Sequence, residues 1–120
     1  DIISKGKVME IRGHQYKAAQ GVAAISNSSD VVIAGIAGKT LYLNYITIGL
    51  ADCGDGTGEL TDGDGGTAFW KQEVKSSTVP KGYILDYGEY GLALTEGNGL
   101  YATTSTSLLD YVITALGYYK

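Results

Sequence analysis

Short segments in which apolar and polar residues alternate make up most of this chain. The alternation predicts strands at QYKAA, VAAIS, DVVIAGIA, TLYLNYITIGL, TAFWKQEV, YILDYG and LYATTS, with turns rich in glycine and serine between them. Tyr, Val, Ile and Thr dominate these segments, and such residues fit the half-buried surface of a sheet. Seven or eight short strands at this spacing predict an antiparallel β-sandwich or barrel.

The last apolar segment is the one place where a helix competes with a strand. STSLLDYVITAL has the length of a short helix, and Ser105 or Thr106 would cap it. A strand instead gives two alternating faces, with Tyr111, Ile113 and Ala115 on one and Val112, Thr114 and Leu116 on the other. The alternation favours the strand.

The N-terminal residues 1–13 lack a clear period, so they predict an arm or edge strand outside a sandwich formed by residues 14–120. This arm is too apolar to lie free in water. It predicts a strand that is added to the sheet edge of a neighbouring subunit. The predicted partner-binding residues of the arm are Ile2, Ile3, Val8, Met9, Ile11 and Arg12.

Length and charge narrow the classes of partner. The chain has 120 residues, which is the length of one domain, and a formal net charge of −4. Nucleic acids and anionic membranes bind clustered Lys and Arg, so neither is expected as a partner. Cys53 is the only cysteine, which excludes a disulfide within the chain.

Residues 51–70, ADCGDGTGELTDGDGGTAFW, carry five carboxylates among six glycines and raise the question of a calcium site. An EF-hand alignment that starts at Asp62 places Asp64 at the third ligand position. Gly66 and Thr67 then stand at the fifth and sixth positions, where Asp or Asn and Gly are required. A looser site would use Asp52, Asp55, Asp62 and Asp64. A solvated acidic loop fits the stretch better, and no cofactor is expected.

Catalytic patterns are missing from the sequence. His14 is the only histidine, and no GxSxG nucleophile motif is present. Zinc requires three or four His or Cys ligands, and the chain has two such residues in total. The glycine segments GDGTG and GDGG lack the lysine of a phosphate loop. We therefore expect a protein that is not an enzyme.

The tyrosines are the second group of candidate functional residues, because the chain has ten tyrosines and one phenylalanine. Tyrosine combines a large apolar ring with a polar hydroxyl, which suits protein interfaces. Tyr87, Tyr90 and Tyr119 are predicted at a subunit interface. Tyr83 and Tyr118 are predicted to pack inside the sandwich.

Four short motifs follow one another between residues 30 and 120. They are AGK at 37–39, GTA at 66–68, the pattern LxLTxGNxL at 92–100, and the aromatic pair at 118–119. In this order they resemble a family of small all-β proteins found in the structural gene clusters of tailed phages. The motifs lie at turns and strand starts, so the resemblance concerns the fold more closely than the role.

The resemblance implies an all-β, antiparallel, jelly-roll-like β-sandwich of about eight strands that decorates a virion. Members of the family look like capsid decoration (cement) or head-fibre proteins and are often homotrimers. For this chain it implies a place on the capsid exterior, with the major capsid protein and further copies of the chain as partners. Two alternatives remain open. One is an extracellular filament subunit linked by strand donation through the arm, and the other is a carbohydrate-binding fibre module.

Overall fold

The computed structural model describes residues 4–5, 8–11, 13–26, 29–53, 55–75, 82–105 and 109–120. All regular structure in these ranges is β-strand, and none of them forms a helix that could cross a membrane. The strands are β1 (Ser4–Lys5), β2 (Val8–Ile11), β3 (His14–Ser26), β4 (Ser29–Ile33), β5 (Leu41–Cys53), β6 (Gly56–Asp62), β7 (Thr67–Val74), β8 (Gly82–Asp86), β9 (Leu92–Ala93), β10 (Leu100–Thr104) and β11 (Leu109–Tyr119).

The strands form two antiparallel sheets that pack as a sandwich. The larger sheet has the order β1-β2-β3-β11-β5-β8, with β9 also paired to β5, and the smaller sheet has the order β4-β10-β6-β7. Among the described strands, the chain crosses between sheets six times, from β3 to β4, β4 to β5, β5 to β6, β7 to β8, β9 to β10 and β10 to β11. The four strands β3-β11-β5-β8 of the larger sheet, interleaved along the chain with the four strands of the smaller sheet, have the order of a jelly roll. The predicted all-β jelly-roll-like sandwich is confirmed.

The core lies between the sheets and follows from the alternation of apolar residues. On β5 the fully buried side chains are Leu41, Leu43, Ile46 and Ile48. The spacing changes from two residues to three at Asn44, where the pairing of β5 with β11 shifts register. A bulge of this kind inserts one extra residue, so the alternation resumes on the same face after it.

Two tyrosine hydroxyls connect the larger sheet to backbone on the opposite side of the sandwich. Tyr111 on β11 donates to the carbonyl of Thr103 on β10 at 2.7 Å, and Tyr119 donates to the carbonyl of Ala34 at 2.6 Å. Burial raises the pKa of Tyr111 to about 12. A Cβ added to Gly58 would lie 2.0 Å from the Tyr111 oxygen, so this position on β6 must stay glycine.

Strand β3 is longer than the sequence predicted. QYKAA and VAAIS were predicted as two strands, but β3 runs without a break through Gln20 and Gly21. A Cβ at Gly21 would lie 1.8 Å from the carbonyl oxygen of Val32. This glycine therefore permits close approach of the backbone near β4 rather than a turn.

The predicted N-terminal arm is in part an edge of the chain's own larger sheet. β2 pairs with β3, and Met9 lies opposite Tyr16. Ile11, predicted to bind a partner, is 4% exposed and packs against Tyr118 of its own chain. Val8 also lies on β2. Of the other predicted arm residues, Ile2, Ile3 and Arg12 lie outside the described residues.

Candidate functional site

The acidic glycine stretch is a strand and not a solvated loop. Residues Gly56–Asp62 form β6, which pairs with β10 on one side and β7 on the other. Leu60 and Gly58 point into the core and are buried. The expectation of an acidic loop at this place was therefore wrong. Only the tight turn at residues 63–66 remains of it.

The Asp62 carboxylate accepts hydrogen bonds from the turn that precedes β10. One oxygen accepts a 2.7 Å hydrogen bond from the hydroxyl of Thr95, and the other accepts one of 3.0 Å from the amide nitrogen of Asn98. The backbone amide of Thr95 adds a hydrogen bond of 2.9 Å. Partial burial raises the pKa of Asp62, but the hydrogen bonds from Thr95 and Asn98 outweigh it and hold the pKa below its ordinary value.

The calcium candidates whose side chains the structure describes do not converge on one place. Asp55 precedes β6 and Asp62 ends it, so about seven strand residues, or about 24 Å, separate them. Asp64 instead accepts a hydrogen bond from the Ser29 hydroxyl at 3.1 Å. Asp52 lies on β5, with its side chain outside the described part. Among the residues that the structure describes, no three His, Cys, Asp or Glu side chains are grouped to hold a metal.

The three tyrosines predicted at an interface differ in accessibility. Tyr90 is 58% exposed, whereas Tyr119 is 9% exposed and belongs to the core. Tyr87 is half-buried, and its ring packs edge-on against Phe69 with centroids 6.3 Å apart. Burial raises the pKa of both Tyr87 and Tyr119. Only Tyr90 therefore presents a largely exposed ring to a partner.

The outer face of the larger sheet carries a row of stacked aromatic rings at one end. Tyr118 lies between Tyr16 and Tyr42, with ring centroids 5.1 and 5.0 Å away. Its hydroxyl donates to the carbonyl of Tyr90 at 2.7 Å, and Ile11 packs against the same ring. At this end the chain covers the outer face of its own sheet. Tyr118 is 3% exposed as a result.

Beyond the aromatic rings, strand register brings a group of uncharged residues together on the same outer face. Thr114 pairs with Val22 and with Thr47, and Thr47 pairs with Ile84. In the rows on either side of Thr114, residues of β3, β11, β5 and β8 pair in the same order. We call this surface the uncharged face, and it comprises Val22, Thr114, Thr47, Ile84, Ala24, Val112, Gly49, Gly82, Leu116 and Tyr45.

The uncharged face is accessible, and its apolar side chains are unusually exposed. Val22 is 69% exposed, Ile84 is 65% exposed and Val112 is 43% exposed. The outer face of the smaller sheet differs, since Lys71 there pairs with Glu59 at 3.7 Å. An antiparallel sheet that meets water normally carries polar residues on that side. Among the described residues, the smaller sheet exposes one large apolar side chain on β4, Val31 at 47%, whereas the larger sheet exposes several that are adjacent in the strand register.

The uncharged face is large enough to be the centre of a protein interface. It spans three gaps between strands and about four residues along them, so its Cα atoms cover about 14 by 14 Å. A margin of about half a strand spacing on each side, for the side chains, brings the surface to about 400 Å². Exposed apolar patches of this size on soluble proteins are commonly interaction sites.

One buried acceptor lies at the margin of the uncharged face. The side-chain amide of Asn44 donates to the carbonyls of Gly88 and Glu89, at 2.9 and 2.7 Å, which fixes its orientation. Its Oδ1 is buried and has no hydrogen-bond partner among the described residues. Asn44 also lines a cavity of about 260 Å³, together with Tyr45, Leu116 and Asp86.

Sequence reasoning did not identify the uncharged face as a site, although one signal for it was present. The alternation in β11 placed Val112, Thr114 and Leu116 on one face and Tyr111, Ile113 and Ala115 on the other. A strand with apolar residues on both faces is typically covered on both. The inner face is covered by the smaller sheet, and the outer face around Val112 and Thr114 is not covered by the residues that the structure describes.

Comparisons with known proteins found likeness only among solved structures. No family model matches the chain, and no curated protein does. One similar structure is the virus-like particle of the extra small virus of the giant freshwater prawn Macrobrachium rosenbergii. It has 12% identity and a TM-score of 0.45, over 85% of this chain and 79% of that chain.

A second similar structure is a Bacillus endospore appendage, described as one of a family of disulfide-linked pili. It has 11% identity and a TM-score of 0.42, over 98% of this chain and 97% of that chain. Since no family model matches, the resemblance to phage decoration proteins stays a prediction.

Proposed function

We propose that this chain is a structural subunit that self-associates and decorates a virion capsid, where it stabilises the shell by binding. The observation that carries the proposal is the uncharged face, whose exposed Val22, Ile84 and Val112 form an apolar surface on a sheet. Burial of such a surface between subunits stabilises an assembly without any chemical step.

A second copy of the chain is the partner that suits this face. Each copy carries a net charge of −4, so two copies repel each other over most of their surface. The uncharged face carries no charged side chain at its centre, so a second copy can pack there without opposing a like charge at that point. Its area of about 400 Å² amounts to half of the roughly 800 Å² that each partner buries in a standard interface. Gln20 and Asp86, which flank Leu116 and Tyr45 in the adjacent row, supply a polar rim.

The remaining contact, with the major capsid protein, is assigned to the N-terminal edge. β1 is the outermost described strand of the larger sheet, and its pairing partner β2 occupies only one of its two sides. An open edge of this kind can pair with a strand of another protein. The homotrimeric state follows from the family resemblance and is part of the proposal.

The proposal is tested by the shape of the assemblies that the purified chain forms. Negative-stain electron microscopy and light scattering over a range of protein concentrations should show one closed species, with three times the mass of the chain. A closed ring has no free interface left, so its mass should not grow with concentration. Particles that lengthen with concentration would contradict a decoration protein and indicate a filament subunit.

A further inference from the structure

A cavity of about 330 Å³ lies at the end of the sandwich where β3 begins and β11 ends. Its lining includes Lys17, Lys39 and Lys120, together with Gln15, Tyr16 and Tyr119. No Asp or Glu side chain is among the residues that line it. Three of the nine basic residues of an acidic chain therefore surround one cavity.

The backbone fixes the three lysines around this cavity. Lys17 lies directly opposite Tyr119 in the pairing of β3 with β11. The amide of Lys120 donates to Thr40 at 2.9 Å, and the amide of Thr40 donates back to Lys120 at 3.0 Å. The residue before Thr40 is Lys39, whose amide donates to Ile36 at 3.0 Å. One network of backbone hydrogen bonds thus sets the positions of all three lysines.

The ammonium groups of these lysines pair with no described Asp or Glu side chain. Its ion pairs join Lys71 to Glu59 and Lys75 to Glu73, on the smaller sheet. The cavity lysines join no described ion pair, although the Lys17 ammonium lies 5.9 Å from the centre of the Tyr119 ring. Like charges around one cavity repel each other, and a bound anion would relieve that repulsion.

We propose that this cavity binds a tetrahedral oxyanion, a phosphate or sulfate group, either free or as an ester on a sugar. Lysine ammonium groups are compact charges that bind phosphate and sulfate oxygens by charge-assisted hydrogen bonds. Gln15 adds an amide donor at the cavity wall. The cavity is distinct from the uncharged face, so anion binding is a function beyond the proposed structural role.

The test is a titration of the ¹⁵N-labelled chain with sodium phosphate, with ionic strength kept constant by sodium chloride. The amide signals of residues 17, 39 and 120 should shift together and saturate. Lys39→Gln and Lys17→Gln should each weaken phosphate binding by about three- to tenfold. The matched control, Lys71→Gln, removes a lysine on the smaller sheet and should leave the affinity unchanged. Thermal unfolding of each variant confirms that it is folded.

Two results would overturn the proposal. One is an equal loss of affinity in Lys39→Gln and Lys71→Gln, and the other is a set of shifts spread evenly over all lysines. Either would show general screening by counterions and no site. A parallel titration with inorganic sulfate and with glucose 6-sulfate distinguishes the sources. Tighter binding of the sugar ester would support a saccharide-borne group, and equal binding would support the free ion.

Discussion

Thr95 donates two hydrogen bonds to Asp62, one from its hydroxyl at 2.7 Å and one from its backbone amide at 2.9 Å. Asn98 donates a third to the same carboxylate at 3.0 Å. Thr95 and Asn98 are the polar residues of the LxLTxGNxL motif, and Asp62 ends the acidic stretch. Two features that stand apart in the sequence are therefore one structural unit, which joins β6 to the turn before β10.

The role of Asp62 predicts a stability that depends on pH. Asp62→Asn should lower the free energy of unfolding by about 1–2 kcal/mol at pH 7, because the amide accepts fewer of these hydrogen bonds. The folded pKa of Asp62 lies below the ordinary value of 3.8. The stability that the carboxylate contributes is therefore present above pH 3.8 and is lost as the pH falls below it. Urea unfolding at pH 7 and pH 2.5 measures both quantities.

The matched control for Asp62 is Asp64→Asn, two residues away on the turn. Asp64 is exposed, and its described partner is a single serine hydroxyl. Its substitution should change the free energy of unfolding by less than about 0.5 kcal/mol at either pH. An equal effect of both substitutions would contradict the specific role of Asp62.

Calcium should not stabilise the chain. Asp55 and Asp62 lie at opposite ends of β6, and Asp62 is already saturated by Thr95 and Asn98. A site with millimolar affinity would raise the melting temperature by several degrees when calcium is present at about tenfold excess over its Kd. We expect a shift below about 1 °C between EDTA and about 10 mM calcium chloride in differential scanning calorimetry. A rise of several degrees in the melting temperature would contradict this expectation and support a calcium site.

The hydroxyl of Tyr111 should contribute measurably to stability, because it connects the two sheets. Tyr111→Phe removes the 2.7 Å hydrogen bond to Thr103 and should cost about 1–2 kcal/mol in chemical unfolding. Tyr83→Phe is the control, since Tyr83 contacts Trp70 through its ring and its hydroxyl makes no described hydrogen bond. This control should stay within about 0.5 kcal/mol of the parent.

Tyr111 also predicts a loss of stability in alkali. Its folded pKa is about 12, above the ordinary value of 10.0. The unfolded chain loses this proton first, so the contribution of Tyr111 is complete below pH 10 and is lost as the pH rises toward 12. Tyr111→Phe should show a smaller decline than the parent between pH 9 and pH 11. Parallel declines in the two proteins would contradict this assignment.

The strands were predictable from the sequence where apolar and polar residues alternate strongly. They were not predictable where this alternation is weak. β5 and β11 carry the alternation of Leu, Ile and Val that defines a strand. β6, with the sequence GTGELTD, consists mostly of residues that disfavour strands, so it was predicted as loop. Gly58 is required there by the Tyr111 ring on the facing sheet. Contacts with a distant strand therefore outweigh the local preference of β6.

The candidate site was less predictable than the fold, for a geometric reason. Val22, Thr114, Thr47 and Ile84 come from four separate segments of the sequence. Only the register of β3, β11, β5 and β8 places them in one row. Tyr119 was predicted at a subunit interface. It is buried in its own chain instead, where its hydroxyl donates to the carbonyl of Ala34. A sequence pattern does not distinguish these two uses of tyrosine.

The measurement that tests the central claim most directly is the mass in solution of Thr114→Lys, beside the parent chain. Thr114 lies in the middle of the uncharged face, where a lysine would place an unpaired charge in the buried interface. Thr103→Lys is the matched control, because Thr103 occupies β10 in the middle of the smaller sheet. By light scattering, the parent and Thr103→Lys should be oligomers and Thr114→Lys a folded monomer. A monomeric parent at about 100 µM, a concentration that would populate a micromolar interface, would contradict the account. An oligomer that survives Thr114→Lys unchanged would contradict it equally.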